Sequence, residues 1–287
     1  MSISKISDTS HNNDQLFTSL SQNLKMIKNT LGNSNDLVIR EVTIGRAEQY
    51  TLAIIYVDGL SDKISISNSV IDKLTLDIEV NQDTETEKII RYLRDSCLTA
   101  GDVNDIFHFT ALYNSILNGD TVILLDESST GIVTSTKGAK DRAVMEPSTE
   151  SVIRGPRESF TETLRTNTAL VRRKIKSPNL WIKSRIVGEV TKTGVAVMYL
   201  NDIANDKIVA EVLSRLDRIN IDGILESGYI EDFIQDSKFT IFPTVYNSER
   251  PDVIAGEILD GKIENRYSAI KQLRDAGIKQ LLEEPEF

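Results

Sequence analysis

At 287 residues with 40% hydrophobic content, the chain can bury one large core or two small ones, and its length favours two domains. A single cysteine, Cys97, excludes an internal disulfide and a CxxC redox pair, and no run approaches the ~18 apolar residues of a membrane helix. Net charge is −10, yet nine cations and two carboxylates fall between Arg154 and Arg185, so this one segment carries +7 and the remainder −17.

Residues 1–13 are polar and expected to be disordered, and the start MSISKISDTSHNND has no apolar signal core, which keeps this portion in the cytoplasm. Over 14–32, Leu16, Leu20, Leu24, Ile27 and Leu31 recur at spacings of three and four. They predict a helix with Asn13 or Asp14 as its cap and Gly32 as its terminator. Residues 36–135 read as a first α/β lobe. A half-buried strand at Ile39–Thr43 leads by a hairpin to an apolar strand beginning at Ala53. Helices follow near Asp62–Lys73, Thr84–Ser96 and Ile106–Asn118, then strands at Thr121–Asp126 and Gly131–Ser135. Residues 136–155, rich in charge and small side chains, read as a linker.

A second α/β lobe is expected over 156–263. Pro156 suits a helix start, Glu158 and Glu162 suit the first turns, and Arg172, Arg173 and Lys174 suit a last turn before Pro178, an order that complements the helix dipole. Phe160, Leu164, Val171 and Ile175 form its apolar stripe, with Arg157, Glu162, Arg165 and Arg172 turned away from it, toward solvent. A hairpin of Val187–Thr191 with Ala196–Ile203 follows, then helices near Lys207–Arg218 and Ile230–Asp236, a strand near Thr240–Phe242 and a helix at Pro251–Leu259. The two hairpins run in parallel order: Ile39-Arg-Glu-Val-Thr, an apolar strand and Asp62-Lys-Ile, against Val187-Gly-Glu-Val-Thr, an apolar strand and Asp206-Lys-Ile. The fold class read from the chain is therefore α/β, as two small mixed-sheet α/β lobes joined by a linker, with the pattern of an internal duplication.

Catalytic constellations are lacking in the sequence. There is no GxxxxGK[ST] loop, no glycine-rich dinucleotide turn, no HExxH, and the two histidines stand apart, so neither catalytic residues, a metal site nor a cofactor is expected, and the chain is not read as an enzyme. The basic segment has few aromatic platforms beyond Phe160 and Trp181, which argues against nucleic acid.

Two ordered blocks carry a family resemblance. The first is Glu146-Pro-Ser with Glu150, then Val152-Ile-Arg-Gly-Pro-Arg-Glu-Ser-Phe160, Asn167 and Arg172-Arg173. The second is Arg215-Leu216, Ile219, Ile221-Asp-Gly-Ile-Leu225, Ser227-Gly-Tyr-Ile230, then Phe242-Pro243 and Glu249-Arg-Pro-Asp252. Together they resemble the spore germination receptor A-subunit family of the GerA type, clearly over about residues 140–263. The resemblance implies a soluble N-terminal region followed by membrane spans, partner B and C subunits, self-association of A subunits, and a place in the spore inner membrane with this region on the cytoplasmic side. It also implies nutrient sensing coupled to ion release. The tail over 264–287 departs from the family pattern. It reads as an amphipathic helix (Ile270, Leu273, Ile278, Leu281, Leu282) foreign to the family.

Three sets of site residues follow. Glu146, Glu150, Arg154, Arg157, Glu158, Glu249, Arg250 and Asp252 are candidates for a network fixing the linker to the second lobe. Arg165, Arg172, Arg173 and Lys174 are candidates for an interaction surface on the basic helix. Under an alternative reading, a bilobal domain binding a small-molecule ligand in its cleft, strand-end Asp58, Asn201 and Asp202 are the contact candidates.

Overall fold

The computed structural model describes residues 14–45, 50–71, 86–97, 102–138, 155–156, 158–225, 227–235, 245–259, 269–272 and 278–281. They form two compact units. The first holds the described residues up to Ile27, those of Val38–Val57 and those of Ser61–Gly138; the second holds Lys28–Leu37, Asp58–Leu60 and the described residues after Gly138. The chain thus passes into the second unit twice before its main transit.

In the first unit, α1 (Leu20–Thr30) precedes β1 (Leu37–Ile44) and β2 (Tyr50–Val57). A four-residue helix α2 (Lys63–Ile66) runs into a π-turn, followed by α3 (Thr86–Cys97), β3 (Val103–Ile106), α4 (Phe109–Leu117), β4 (Thr121–Leu125) and β5 (Gly131–Thr134). The sheet order is β1-β2-β4-β5-β3. β4 and β5 are buried at every position, and with Leu52, Ile54, Ile66, Val70, Ile89 and Leu93 they supply much of one apolar core. Asp62 caps α2, accepting from the amides of Ile64 and Ser65, and the Ser65 hydroxyl, which also donates to its carboxylate, holds that carboxyl below the usual range with help from the two amides.

The second unit holds α5 (Leu164–Lys174), β6 (Leu180–Val187), β7 (Thr193–Leu200), α6 (Asp206–Asp217), α7 (Ser227–Ile234), β8 (Val245–Ser248), α8 (Pro251–Leu259), β9 (Ala269–Gln272) and β10 (Ile278–Leu281). Its sheet order is β6-β7-β9-β10-β8, the order of the first unit repeated. One sheet face buries Leu180, Ile182, Ala196, Met198 and Leu200 against α5 and α8; the other buries Val187, Val195, Val197 and Tyr199 against α6 and α7. Strand pairings with a defined register are antiparallel in both units, which refines the expected mixed sheets.

The repeat extends to single bonds. In the first unit buried Asn23 holds the backbone six residues upstream, its Oδ1 accepting from Phe17 N at 2.9 Å and its Nδ2 donating to Phe17 O at 2.7 Å. Asn167, at the same place in α5, holds Thr161 by the same two bonds. Likewise Leu16 N donates to Phe107 O and Phe160 N to Glu249 O, both at 2.9 Å, each carbonyl lying two residues before the next helix, α4 or α8.

Several expectations are corrected. The basic helix starts at Leu164 with Thr163 as its N-cap, not near Pro156, because Ser159 and Phe160 bond to Glu249 and stay out of the helix. Asp14 does not cap α1; it accepts from Thr110 N at 3.0 Å at the start of α4, and Asp126 caps α1 through Leu20 N at 2.8 Å. Val187–Thr191 is mostly turn, with Gly188 and Lys192 in the left-handed region and the amides of Glu189 and Val190 bonded to Ile221 O and Asp222 O. In the tail, β9 and β10 replace the expected helix: β9 satisfies the free edge of β7 from Val195 to Met198, and a pairing edge outweighs local periodicity. The expected strand at Thr240–Phe242, residues 1–13 and most of the linker lie outside the described residues.

Pro251 opens α8 as expected, and Gly256 lies inside that helix with open space where a Cβ would stand. Gly256→Ala is therefore expected to raise stability by about 0.5–1 kcal/mol, read as a higher urea midpoint with an unchanged slope. A lower midpoint would mean that α8 packs more closely at this point.

Candidate functional site: the basic helix and the segments it holds

The cations of α5 lie among carboxylates and carbonyls of the second unit. Arg172 and Asp36 are each 1% exposed and form a bidentate pair, Nε to Oδ2 at 2.8 Å and Nη2 to Oδ1 at 3.1 Å. Asp36 O in turn accepts from Asp58 N at 2.8 Å. About two turns earlier on α5, Arg165 Nε meets Asp58 Oδ2 at 3.0 Å in a partly exposed pair. Between these bonds Gly59 adopts φ +90°, and a Cβ there would stand 3.1 Å from Ala169 Cβ and 3.3 Å from Arg165 Cδ. Only glycine combines that backbone with that approach. Two short segments, 28–37 and 58–60, are thus fastened to α5 through Asp36 and Asp58.

Strand β6 holds the same first segment from another side. Trp181 Nε1 donates to Thr30 O at 3.1 Å and Lys183 Nζ to Gly32 O at 2.5 Å, both carbonyls at the C-terminal end of α1. Ser34 Oγ accepts from Ile182 N at 2.9 Å, Asn35 N donates to Ile182 O at 3.1 Å, and Asn35 Oδ1 accepts from Ser184 N at 2.8 Å. Residues 34–35 therefore cover part of the β6 edge. Burial pushes the Lys183 ammonium down, and neighbouring Arg185 adds to the shift.

The interaction-surface set is redistributed by this geometry. Arg172 does not point outward: it is buried, because residues 167–172 are covered continuously and its charge is met by a carboxylate 136 positions away in sequence. Arg165 pairs with Asp58, Lys174 with Glu158 at 2.9 Å, and Arg173 is half-buried. In the linker set, Arg250 pairs with Asp252 at 2.5 Å, while Glu249 offers its backbone carbonyl to Ser159 and Phe160. Glu158, through Lys174, is tied to α5. Glu146, Glu150, Arg154 and Arg157 lie outside the described residues.

Of the cleft set, Asp58 meets Arg165. Asn201 N donates to Asn179 O at 2.9 Å, and Asp202 accepts from Asn179 Nδ2 at 2.9 Å, so these two share the turn after β7. Two cavities of the second unit, about 380 and 400 Å³, are lined by residues of α6, α7 and their flanks and by none of the three. Sequence reasoning missed Asp36, Gly59 and Trp181. A Asp-Gly pair at 58–59 is a turn signal, but nothing in the local pattern marks Asp36 as buried.

Comparison with known proteins gives the arrangement its context. Residues 25–264 match the family model described as Bacillus/Clostridium GerA spore germination protein. The chain is 41% identical to spore germination protein KA of Bacillus subtilis (strain 168) over 85% of its own length and 44% of that protein. It is 34% identical to spore germination protein B1 of the same organism over 87% and 50%. It thus spans about half the length of these relatives. The crystal structure of the N-terminal domain of the A subunit of the Bacillus megaterium spore germinant receptor GerK3 matches with a TM-score of 0.73 and 36% identity, covering 95% of this chain and 98% of that one. The chain belongs to the GerA spore germination protein family and corresponds to the N-terminal domain of its A subunits.

Proposed function

We propose that this domain acts in assembly and signal transduction of a nutrient germinant receptor, as part of an A subunit whose remaining half lies beyond the matched region. The observation that carries the reading is the match over nearly the whole chain to the GerK3 A-subunit domain. Its partners are then the receptor B and C subunits and further A subunits, and its place is the cytoplasmic face of the spore inner membrane. No helix among the described residues is long and apolar enough to cross a membrane, so the domain acts from beside the bilayer through the rest of the subunit.

Within that role α5 is the coupling element. It grips the two segments by which the chain enters and leaves the second unit, so a force on α5 reaches Asp36 and Asp58 and, through the covalent chain, β1 and β2. Such a grip suits ion-channel gating, where a domain passes movement to a distant pore.

In spores, deletion of the gene is expected to abolish germination by one class of nutrient. Asp58→Ala, which removes a partly exposed pair, should slow that response severalfold at normal receptor abundance on immunoblots. Intact germination by every nutrient in the deletion strain would overturn the receptor reading. A normal rate in Asp58→Ala would remove α5 from signalling.

A further inference from the structure

Helix α7 is apolar on two faces. Ile230 and Ile234 are buried against the sheet, as two residues on one side of a helix should be. The adjoining face, about 100° round the helix, carries Tyr229 and Phe233, 39% and 43% exposed, and Leu225, 51% exposed, lies just ahead of the helix. The spacing of four sets Tyr229 and Phe233 on one face, a turn apart, where a solvated helix face would be polar.

Charge on either side of this face is divided. The cavity of about 380 Å³ on one flank of Phe233 is lined by Glu211, Arg215, Arg218, Ile219 and Gln235, and here the cations outnumber the carboxylate. Arg215 is tied to Glu211 at 2.7 Å and to Ile234 O, whereas Arg218 is 66% exposed and reaches Glu211 only at 3.5 Å. The neighbouring cavity of about 400 Å³ shares Phe233 and Gln235 but carries Asp232 and Tyr229. An apolar ridge thus separates a cationic hollow from an anionic rim, a patch complementary to itself. Such a patch fits a two-fold contact, in which each residue i meets j and each j meets i.

We propose that the α7 face is a self-association surface for a second copy of this chain. Tyr229 and Phe233 of each copy enter the other's hollow, and Arg218 of each faces Asp232 of the other. This deepens the assembly role above by naming its surface, but its test needs no germination assay. The buried aromatic pair supplies the affinity, and the charge pairs set the register.

Sedimentation velocity on the 287-residue chain over a concentration series tests it. The wild type is expected to show a monomer–dimer transition, and Phe233→Glu to move its midpoint at least about tenfold upward, a charge at the centre of an apolar contact. Because Phe233 is half-exposed, circular dichroism should show an unchanged fold. Asp232→Arg and Arg218→Asp should each weaken dimerisation, and the double exchange should recover most of the loss. A wild type that stays monomeric to millimolar concentration, or a midpoint indifferent to Phe233→Glu, overturns the proposal. So does a double exchange no better than the worse single variant. Loss of germination with dimerisation intact would instead bear on the receptor role alone.

Discussion

Arg172→Met is expected to cost about 3–5 kcal/mol of stability, because it leaves the Asp36 carboxylate buried with its main partner gone. The penalty belongs to the orphaned charge and not to the lost attraction. The double change Asp36→Leu with Arg172→Met should therefore restore most of the loss, or exceed the wild type, since an apolar pair of similar volume escapes the desolvation cost. Arg165→Met provides the contrast: its pair with Asp58 is partly in water, and its removal should cost no more than about 1 kcal/mol. Urea unfolding followed by the fluorescence of Trp181, the sole tryptophan and a member of the same unit, measures all three. Equal losses at Arg172 and Arg165 would show that the buried pair has no special cost. The double variant also has functional value. If it folds normally yet fails to signal in spores, the ion pair serves transmission; if signalling returns with the fold, the pair is structural.

Much of this architecture was legible in the sequence because core helices and strands announce themselves by period. α6, α8, β4 and β5 fall within a residue or so of expectation, their apolar spacing being long, regular and bounded by Asn205, Pro251 or turn residues. The two sheets share one strand order, but the counterpart of β1 is β6, not the Val187–Thr191 turn to which the local sequence pattern points. What failed was information stored at a distance. Nothing local distinguishes Arg172, whose partner is 136 positions away, from Arg173 beside it. β3 and β9 are four residues each, too short for a period, and their pairing edges exist only once β5 and β7 are in place. Tyr229 of α7 stands in the family pattern, but a sequence cannot say which of two apolar helix faces is covered.

Gly32→Ala should be among the most damaging single-atom-group changes in the second unit, at about 2–5 kcal/mol, because two costs coincide there. Gly32 sits at φ +62°, which charges an L side chain about 1–2 kcal/mol. A Cβ would also fall inside the indole of Trp181, so the ring must leave and its bond to Thr30 O must break. Asparagine separates the two costs. It tolerates the left-handed backbone but carries the same Cβ, so Gly32→Asn should remain nearly as unstable as Gly32→Ala if the clash dominates. Trp181→Leu in the Gly32→Ala background should then recover stability, a non-additive rescue that backbone strain alone cannot produce. Before unfolding, Gly32→Ala should already show red-shifted tryptophan emission, as the indole moves toward water. An unshifted spectrum with full stability would mean that the α1 terminus yields instead of the ring. The fastening of residues 28–37 to β6 would then be looser than the bonds of Trp181, Lys183 and Ser34 indicate.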